Sequence, residues 1–319
     1  KLSTTIDFFK NKKTDLYGSR QVFIPSSSGL TLGPVNYGAI DIKGVEGLVT
    51  YKDNITSDFN YEVGFNIGYS KAVYVTLDEP ETRRPYQLLS GEETSRIMGL
   101  KAEGIIRTQE QLDDLIANGY KIYGQDPQIG ALYFRDIRGA AAVDPEGNTP
   151  DGVIDDNDRD YIGARSNPSV NYGIRLNLRY KRFSLLAFGQ GFAGHQRYQP
   201  ANNRFQFASI GQSSHTQWLN AWTQDNPNNS FPRFGSPFSS NDSTFWLEDA
   251  DFLRLKNLNV GYDIPASLAS KVGAERINLF ANGTNLFMVY SKIKAFDPET
   301  SGRGIPVNRS YSLGINVTF

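Results

Sequence analysis

The chain has 319 residues, and 33 Lys and Arg against 34 Asp and Glu leave a formal net charge of −1. With no Cys and two His it has no disulfide framework, no thiolate chemistry and no Cys-bound metal, and its charge balance argues against nucleic-acid binding, which needs a basic face. No run of roughly eighteen mostly apolar residues encodes a transmembrane helix, but an alternating β-barrel escapes that test.

In chain order, residues 2–13 and 39–51 read as strands of modest alternation. Strict period two comes next: Phe59, Tyr61, Val63, Phe65, Ile67 and Tyr69 alternate with Asn60, Glu62, Gly64, Asn66, Gly68 and Ser70. An extended chain puts the first set on one face and the second on the other. A lone helix is expected in the next connection. Thr108 is placed to cap it, Gln111 to complete a capping box, Leu112, Leu115 and Ile116 to share a face, and Gly119 to stop it at C′. Alternation resumes with Val170, Tyr172, Ile174, Leu176, Leu178 and Tyr180 against Asn171, Gly173, Arg175, Asn177, Arg179 and Lys181. Strands at 183–194, 252–263 and 276–290 come after it, and Tyr311, Leu313, Ile315, Val317 and Phe319 make an eighth.

The connections alternate in length. They run long at about 14–38, short at 52–57, very long at about 76–168, then two residues at Lys181-Arg182. Then come long at about 195–251, short at about 264–275 and medium at about 291–306. A soluble sandwich has no reason to sort its loops this way. An outer-membrane barrel does, with short turns on the periplasmic rim and long loops outside. The apolar faces of strands 59–69 and 170–180 are therefore expected to meet lipid, with Arg175, Asn177 and Arg179 inward and Phe59 and Tyr69 near the interfaces.

Three groups are candidates for chemistry or binding. The acidic loop from Asp144 to Asp158 has the D-x-[DN]-x-[DN]-G flavour of an EF-hand loop, with extra residues before its second half. Asp144, Asn148, Asp151 and Asp158, with the Val153 carbonyl, are the expected ligands of a calcium or magnesium ion; the alternative is a solvated acidic turn. Tyr198, Phe205, Phe207, Trp218, Trp222, Phe231, Phe234, Phe238 and Trp246 crowd the 195–251 connection. Flat aromatic faces among amides suit sugar rings or peptide side chains, and Trp218, Trp222 and Trp246 are the ligand-binding candidates. The alternative is that these rings form the loop's own small core or meet a partner. His195 and His215 read as polar loop residues. No Ser/His/Asp arrangement is legible, so no catalytic residue is expected.

The ends of the chain carry a resemblance. Ser312, Gly314, Val317 and Phe319 have the spacing that barrel-assembly machinery reads on a final strand. The segment WLEDADFLRLKNLNVGYDIP, from Trp246 to Pro265, resembles the penultimate-hairpin motif of SusC-like (RagA-like) TonB-dependent transporters of Bacteroidetes. RINLFANGTNLF from Arg276 to Phe287, and Asp297-Pro298-Glu299, resemble the segments C-terminal to that motif in the family. TTIDFFK at 4–10 and NYGAIDIKGVE at 36–46 are similar to its mid-barrel strands. The resemblance implies an all-β, transmembrane antiparallel barrel: residues 1–319 would be the C-terminal part of one plugged twenty-two-stranded barrel domain, without plug or early strands. It further implies TonB-dependent nutrient import at the cell outer membrane, a SusD-like surface lipoprotein as lid, TonB and outer-membrane lipid as partners, and an oligosaccharide or peptide as ligand. The competing reading is a soluble β-rich glycan-binding or adhesin module.

Overall fold

The structure, a computed structural model, describes all residues except 21–25, 30–31, 81–82, 143, 164, 205–213 and 301–306. Alternating residues with β-branched and aromatic side chains build eight long strands: β1 (Leu2–Gly18), β2 (Val35–Thr56), β3 (Phe59–Thr76), β4 (Val170–Tyr180), β5 (Phe183–Ala193), β6 (Phe252–Asp263), β7 (Arg276–Ser291) and β8 (Ser310–Thr318). They form one sheet in chain order, antiparallel throughout. β1 and β8 are its two edges, so the barrel is not closed within this chain.

Register explains the polarity of the wall. One row runs Leu2, Tyr51, Val63, Leu176, Ala187, Leu258, Gly283, Tyr311 across all eight strands. The adjacent row runs Lys52, Glu62, Asn177, Leu186, Asn259, Asn282, Ser312 from β2 to β8. Because side chains alternate, successive rows project from opposite faces. One face is thus an apolar band and the other a mostly polar lining. Phe65, Ile67, Ile174, Leu279, Leu313 and Ile315 on the apolar face are exposed. A soluble sandwich would cover such a face with a second sheet; among the described residues no second large sheet exists to do so. In lipid, lateral pairing satisfies the backbone and the exposed apolar groups find their solvent.

The first turn on the short-loop rim is tighter than the sequence suggests, and the second is as short as expected. β2 continues to Thr56, so Ser57 and Asp58 alone make the first, where Thr56 Oγ1 accepts from the N–H groups of Asp58 and Phe59. Lys181, at φ 52°, makes the second, and its N–H donates to the Asp58 carbonyl. β1 also runs past Lys13 to Gly18, through an irregularity where Asp15 takes φ 56°. On the apolar face above these turns, Phe59 packs on Tyr61 and edge-on to Tyr180, with centroids 6.2 and 6.1 Å apart. Phe183 lies 4.7 Å from Tyr262. Together with Tyr51 they form the aromatic girdle expected at a membrane interface.

The long connections hold a second body with its own core. Its helix α1 (Gln109–Ala117) begins as expected, Thr108 accepting from the Gln111 N–H, although the Gln111 side chain reaches back to Arg107 rather than to Thr108. Gly119, at φ 75°, ends it. Leu100, Ile105, Ile122, Leu132, Phe134, Ile154 and Trp222 are buried together, and Trp218, Ala221 and Trp246 form a second buried group.

Candidate functional site

The two longest connections interlock. Leu100 of the first donates to the Asp242 carbonyl of the second and accepts from the Thr244 N–H. Ser239 Oγ accepts from the Leu132 N–H at 3.0 Å, Arg107 donates to the Asn229 carbonyl at 3.0 Å, and Tyr198 donates to the Met98 carbonyl at 2.9 Å. One cap therefore stands on the long-loop rim, built from both connections together.

The tryptophans make that cap cohere. Trp218, Trp222 and Trp246 are all buried, Trp246 completely. Trp246 lies 6.0 Å from Trp218, 6.0 Å from Phe231 and 4.7 Å from Phe245, and its indole N–H donates to the Ser239 carbonyl. The Trp218 indole donates to the Asn203 carbonyl. This corrects their role as ligand-contact candidates: a loop assembly this long needs an interior, and aromatic rings provide the largest apolar area per residue. Phe205 and Phe207 lie outside the described residues.

The surface beside that core carries a different constellation, which the sequence did not single out as a unit. Tyr123 and Phe238 stack with centroids 5.2 Å apart and planes 27° apart. Both sit in the left-handed region, at φ 47° and 60°, which is strained for bulky residues. With Arg159, Arg204, Ser240, Asn241 and Asp242 they line a cleft of about 440 Å³. Asp242 accepts from Arg204 at 2.6 Å and lies 3.9 Å from Arg159, while Arg204 spreads over the Tyr198 ring at 5.1 Å. Burial, reinforced by the Asp156 carboxylate that accepts its hydrogen bond, pushes the Tyr123 phenol up to about 12. The cleft presents an aromatic platform, a guanidinium–carboxylate cluster and amide and hydroxyl groups, a set able to hold a flat apolar ring and polar substituents at once. Only the positive φ of two non-glycine residues distinguishes these positions, and that is invisible in sequence.

The expected cation loop is arranged otherwise. Asp144 turns both carboxylate oxygens onto backbone, accepting from Gly139, Gly147, Asn148 and Thr149 at 3.0–3.1 Å. Burial works to raise its pKa, but these donors together hold it below the usual carboxylate range. Asp158 accepts from Ile137, Arg138 and Asp155, and burial nevertheless pushes it up. Asp151 accepts from Val153 and Ala140, Asn148 accepts from the Thr149 hydroxyl, and Val153 lies in a short parallel pairing with Lys121. Among the described residues no three His, Asp or Glu side chains converge as metal ligands. The acidic residues act as acceptors for the N–H groups of a tight loop, which their composition alone does not distinguish from a cation shell. His195 lies between two strands, as a loop residue, and is buried, which lowers its pKa; His215 caps a short turn by accepting from the Gln217 N–H.

The polar face of the wall is knit by ion pairs. Glu62 binds Lys52 and Arg175, each at 2.6 Å, and accepts from Asn177; Asp263 binds Arg276 at 2.8 Å and Arg179 at 3.4 Å. Arg175, Asn177 and Arg179 therefore share the polar lining, as expected. A register shift leaves Lys256 outside the β5–β6 and β6–β7 ladders, and Arg254 and Lys256 hold Asp297 and Glu299 of the β7–β8 connection at 2.6 and 2.7 Å.

No family model matches the chain. Over 98% of its length it is 25% identical to TonB-dependent receptor P26 of Formosa agariphila, and over 98% it is 23% identical to TonB-dependent receptor SusC of Bacteroides thetaiotaomicron. The chain is similar to TonB-dependent receptors. It spans about a third of the length of the relatives it matches, 32% and 30%. The solved structure of the RagAB peptide transporter superposes on the whole of this chain with a TM-score of 0.74 at 22% identity, and 33% of that structure's chain is covered. The eight-stranded sheet and its cap thus share the fold of the matching third of that transporter structure.

Proposed function

We propose that the chain forms barrel wall and outer loops, as the C-terminal part, of a TonB-dependent importer of the bacterial outer membrane, which works with a SusD-like surface lipoprotein to take up oligosaccharides or peptides. The observation that carries this reading is the pairing of an uncovered apolar face with a polar lining on one continuous eight-stranded sheet, capped on a single rim. The ligand is captured outside, between the cap and the lipoprotein, with the Tyr123–Phe238 cleft as a contact. Force delivered through TonB to a plug then opens the lumen, and the ligand passes along the polar lining. No covalent step is required.

Alkaline carbonate extraction tests the membrane half: a barrel stays in the pellet, and a soluble glycan-binding module is released. The transport half is tested by growth on oligosaccharide or oligopeptide as sole carbon source. Replacing both Tyr123 and Phe238 with Ala should slow uptake of one of these classes while the heat-modifiable folded band persists. Unchanged uptake of both would remove the cleft from the ligand path.

A further inference from the structure

The apolar face carries a row of like charges on β1 to β3. Lys10 is the register partner of Lys43, and Lys43 of Lys71. The row two residues nearer the short turns is Phe8, Val45, Tyr69, so strand alternation puts the lysines on the apolar face. All three lysines are exposed. Like charges directly opposite across strands repel and destabilise a sheet, so this row is arranged at a cost unless an anion offsets it.

The height of the row identifies the anion. On β3 the apolar run from Phe59 to Tyr69 spans ten residue steps, about 33 Å along the strand; tilted by roughly 40° it rises about 25 Å, the height of a barrel's lipid-facing band. Lys71 lies two residues beyond, at the level of lipid headgroups on the long-loop side. At the opposite margin the girdle rings have charges of both signs beside them, Asp53 in register with Tyr61 and Lys181 over the Tyr180 ring, so no row of like charges stands there.

Local counter-charges do not cancel the patch. Asp41 lies 3.7 Å from Lys10, and Glu93 binds Lys71 and Arg165, each at 2.6 Å. Arg165 reaches over the Tyr69 ring, and Lys12 is the register partner of Asp41. Five cations thus meet two carboxylates, a net charge of +3, and among the described residues no carboxylate pairs with Lys43.

We propose that Lys10, Lys43 and Lys71 form a docking site on the outside of the wall for the phosphate of an anionic lipid in the outer leaflet. The proposal rests on the membrane reading above. An ammonium row at headgroup depth, directly above an acyl-contacting band, matches a molecule with phosphate and acyl chains at that same spacing, and free phosphate would leave the band's role unused.

The test uses the full-length protein extracted from outer membranes in mild detergent, wild type beside a K10Q/K43Q/K71Q variant. A control variant, K181Q/R182Q/K271Q, removes three charges from the short-turn rim. Each is titrated with phosphatidylglycerol, phosphatidylcholine or inorganic phosphate and read by native mass spectrometry. A juxtamembrane lysine is worth a factor of about five, so losing three should weaken the phosphatidylglycerol adduct about a hundredfold. The control and wild type should keep it, phosphatidylcholine should not form it, and millimolar inorganic phosphate should not displace it. An equal adduct in all three folded proteins, or displacement by inorganic phosphate, overturns the proposal. Release of wild type by carbonate would instead overturn the membrane reading, and this site with it.

Discussion

The wall and the cap solve opposite solvent problems with the same residue types. On the wall, Phe65, Ile67, Ile174 and Leu313 lie exposed while Glu62 pairs with Arg175 and Asp263 with Arg179 across the polar face. In the cap, Leu100, Leu132, Ile154 and Trp246 are almost wholly buried, and polar groups take the surface. Burial in the cap stabilises by removing apolar area from water, about 1.5–3 kcal/mol for each large side chain. The wall gains nothing from its apolar face until lipid covers it. Each region should therefore fail under substitutions that the other tolerates.

The largest separation is expected from Trp246→Ala. Truncating a fully buried Trp costs about 3–5 kcal/mol, and hydrogen exchange should rise across 97–134 and 215–250 while β3 to β5 stay protected. Loss of protection in both regions together would show that wall and cap unfold as one unit.

Next comes Leu176→Arg, which should cost roughly 2–4 kcal/mol near the bilayer midplane. Asn177→Arg, one residue on and facing the polar lining, should be mild. Yield of the heat-modifiable band in cells reads both, and equal losses would reverse the assignment of faces.

A smaller effect separates two carboxylates within the cap. Asp144 titrates below its ordinary 3.8, so its contribution is complete above that pH and is lost as pH falls below it. Asp158, raised by burial, works in the opposite sense: the folded loop takes up its proton first, and the penalty of its charge fades as pH falls toward 3.8. Asp144→Ala should raise exchange at 139–149 at neutral pH and flatten the acid dependence below 3.8. Protection that disappears on chelation and returns with millimolar calcium would instead put a cation among these oxygens.

The smallest is Thr108→Ala, about 1 kcal/mol from the lost cap of α1. Faster exchange confined to 109–112 would bear this out, and unchanged exchange would mean that the Gln111 reach to Arg107 suffices.

The wall was legible in the sequence because period two is a local property: each strand states its two faces without reference to its neighbours. The sorting of long and short connections, and the motif from Trp246 to Pro265, added direction and likeness to a family. Strand ends were less legible, since Thr56 and Gly18 extend β2 and β1 through stretches that break the alternation and are held by pairing. The cap was the least legible part. Its aromatic residues announce a cluster, but whether a ring becomes interior or contact surface depends on which distant segment closes over it. Trp246 became interior because Ser239, Trp218 and Phe245 surround it, while Tyr123 and Phe238, 115 positions apart, meet at a cleft edge. The acidic loop was ambiguous in sequence for a related reason: a carboxylate accepts from a cation or from backbone N–H groups alike, and the fold shows Asp144 and Asp158 accepting from backbone. The lysine row lay between these cases. Each lysine's face is set by alternation, but that Lys10, Lys43 and Lys71 stand side by side was decided by register, which is set by pairing between strands and not within any one of them.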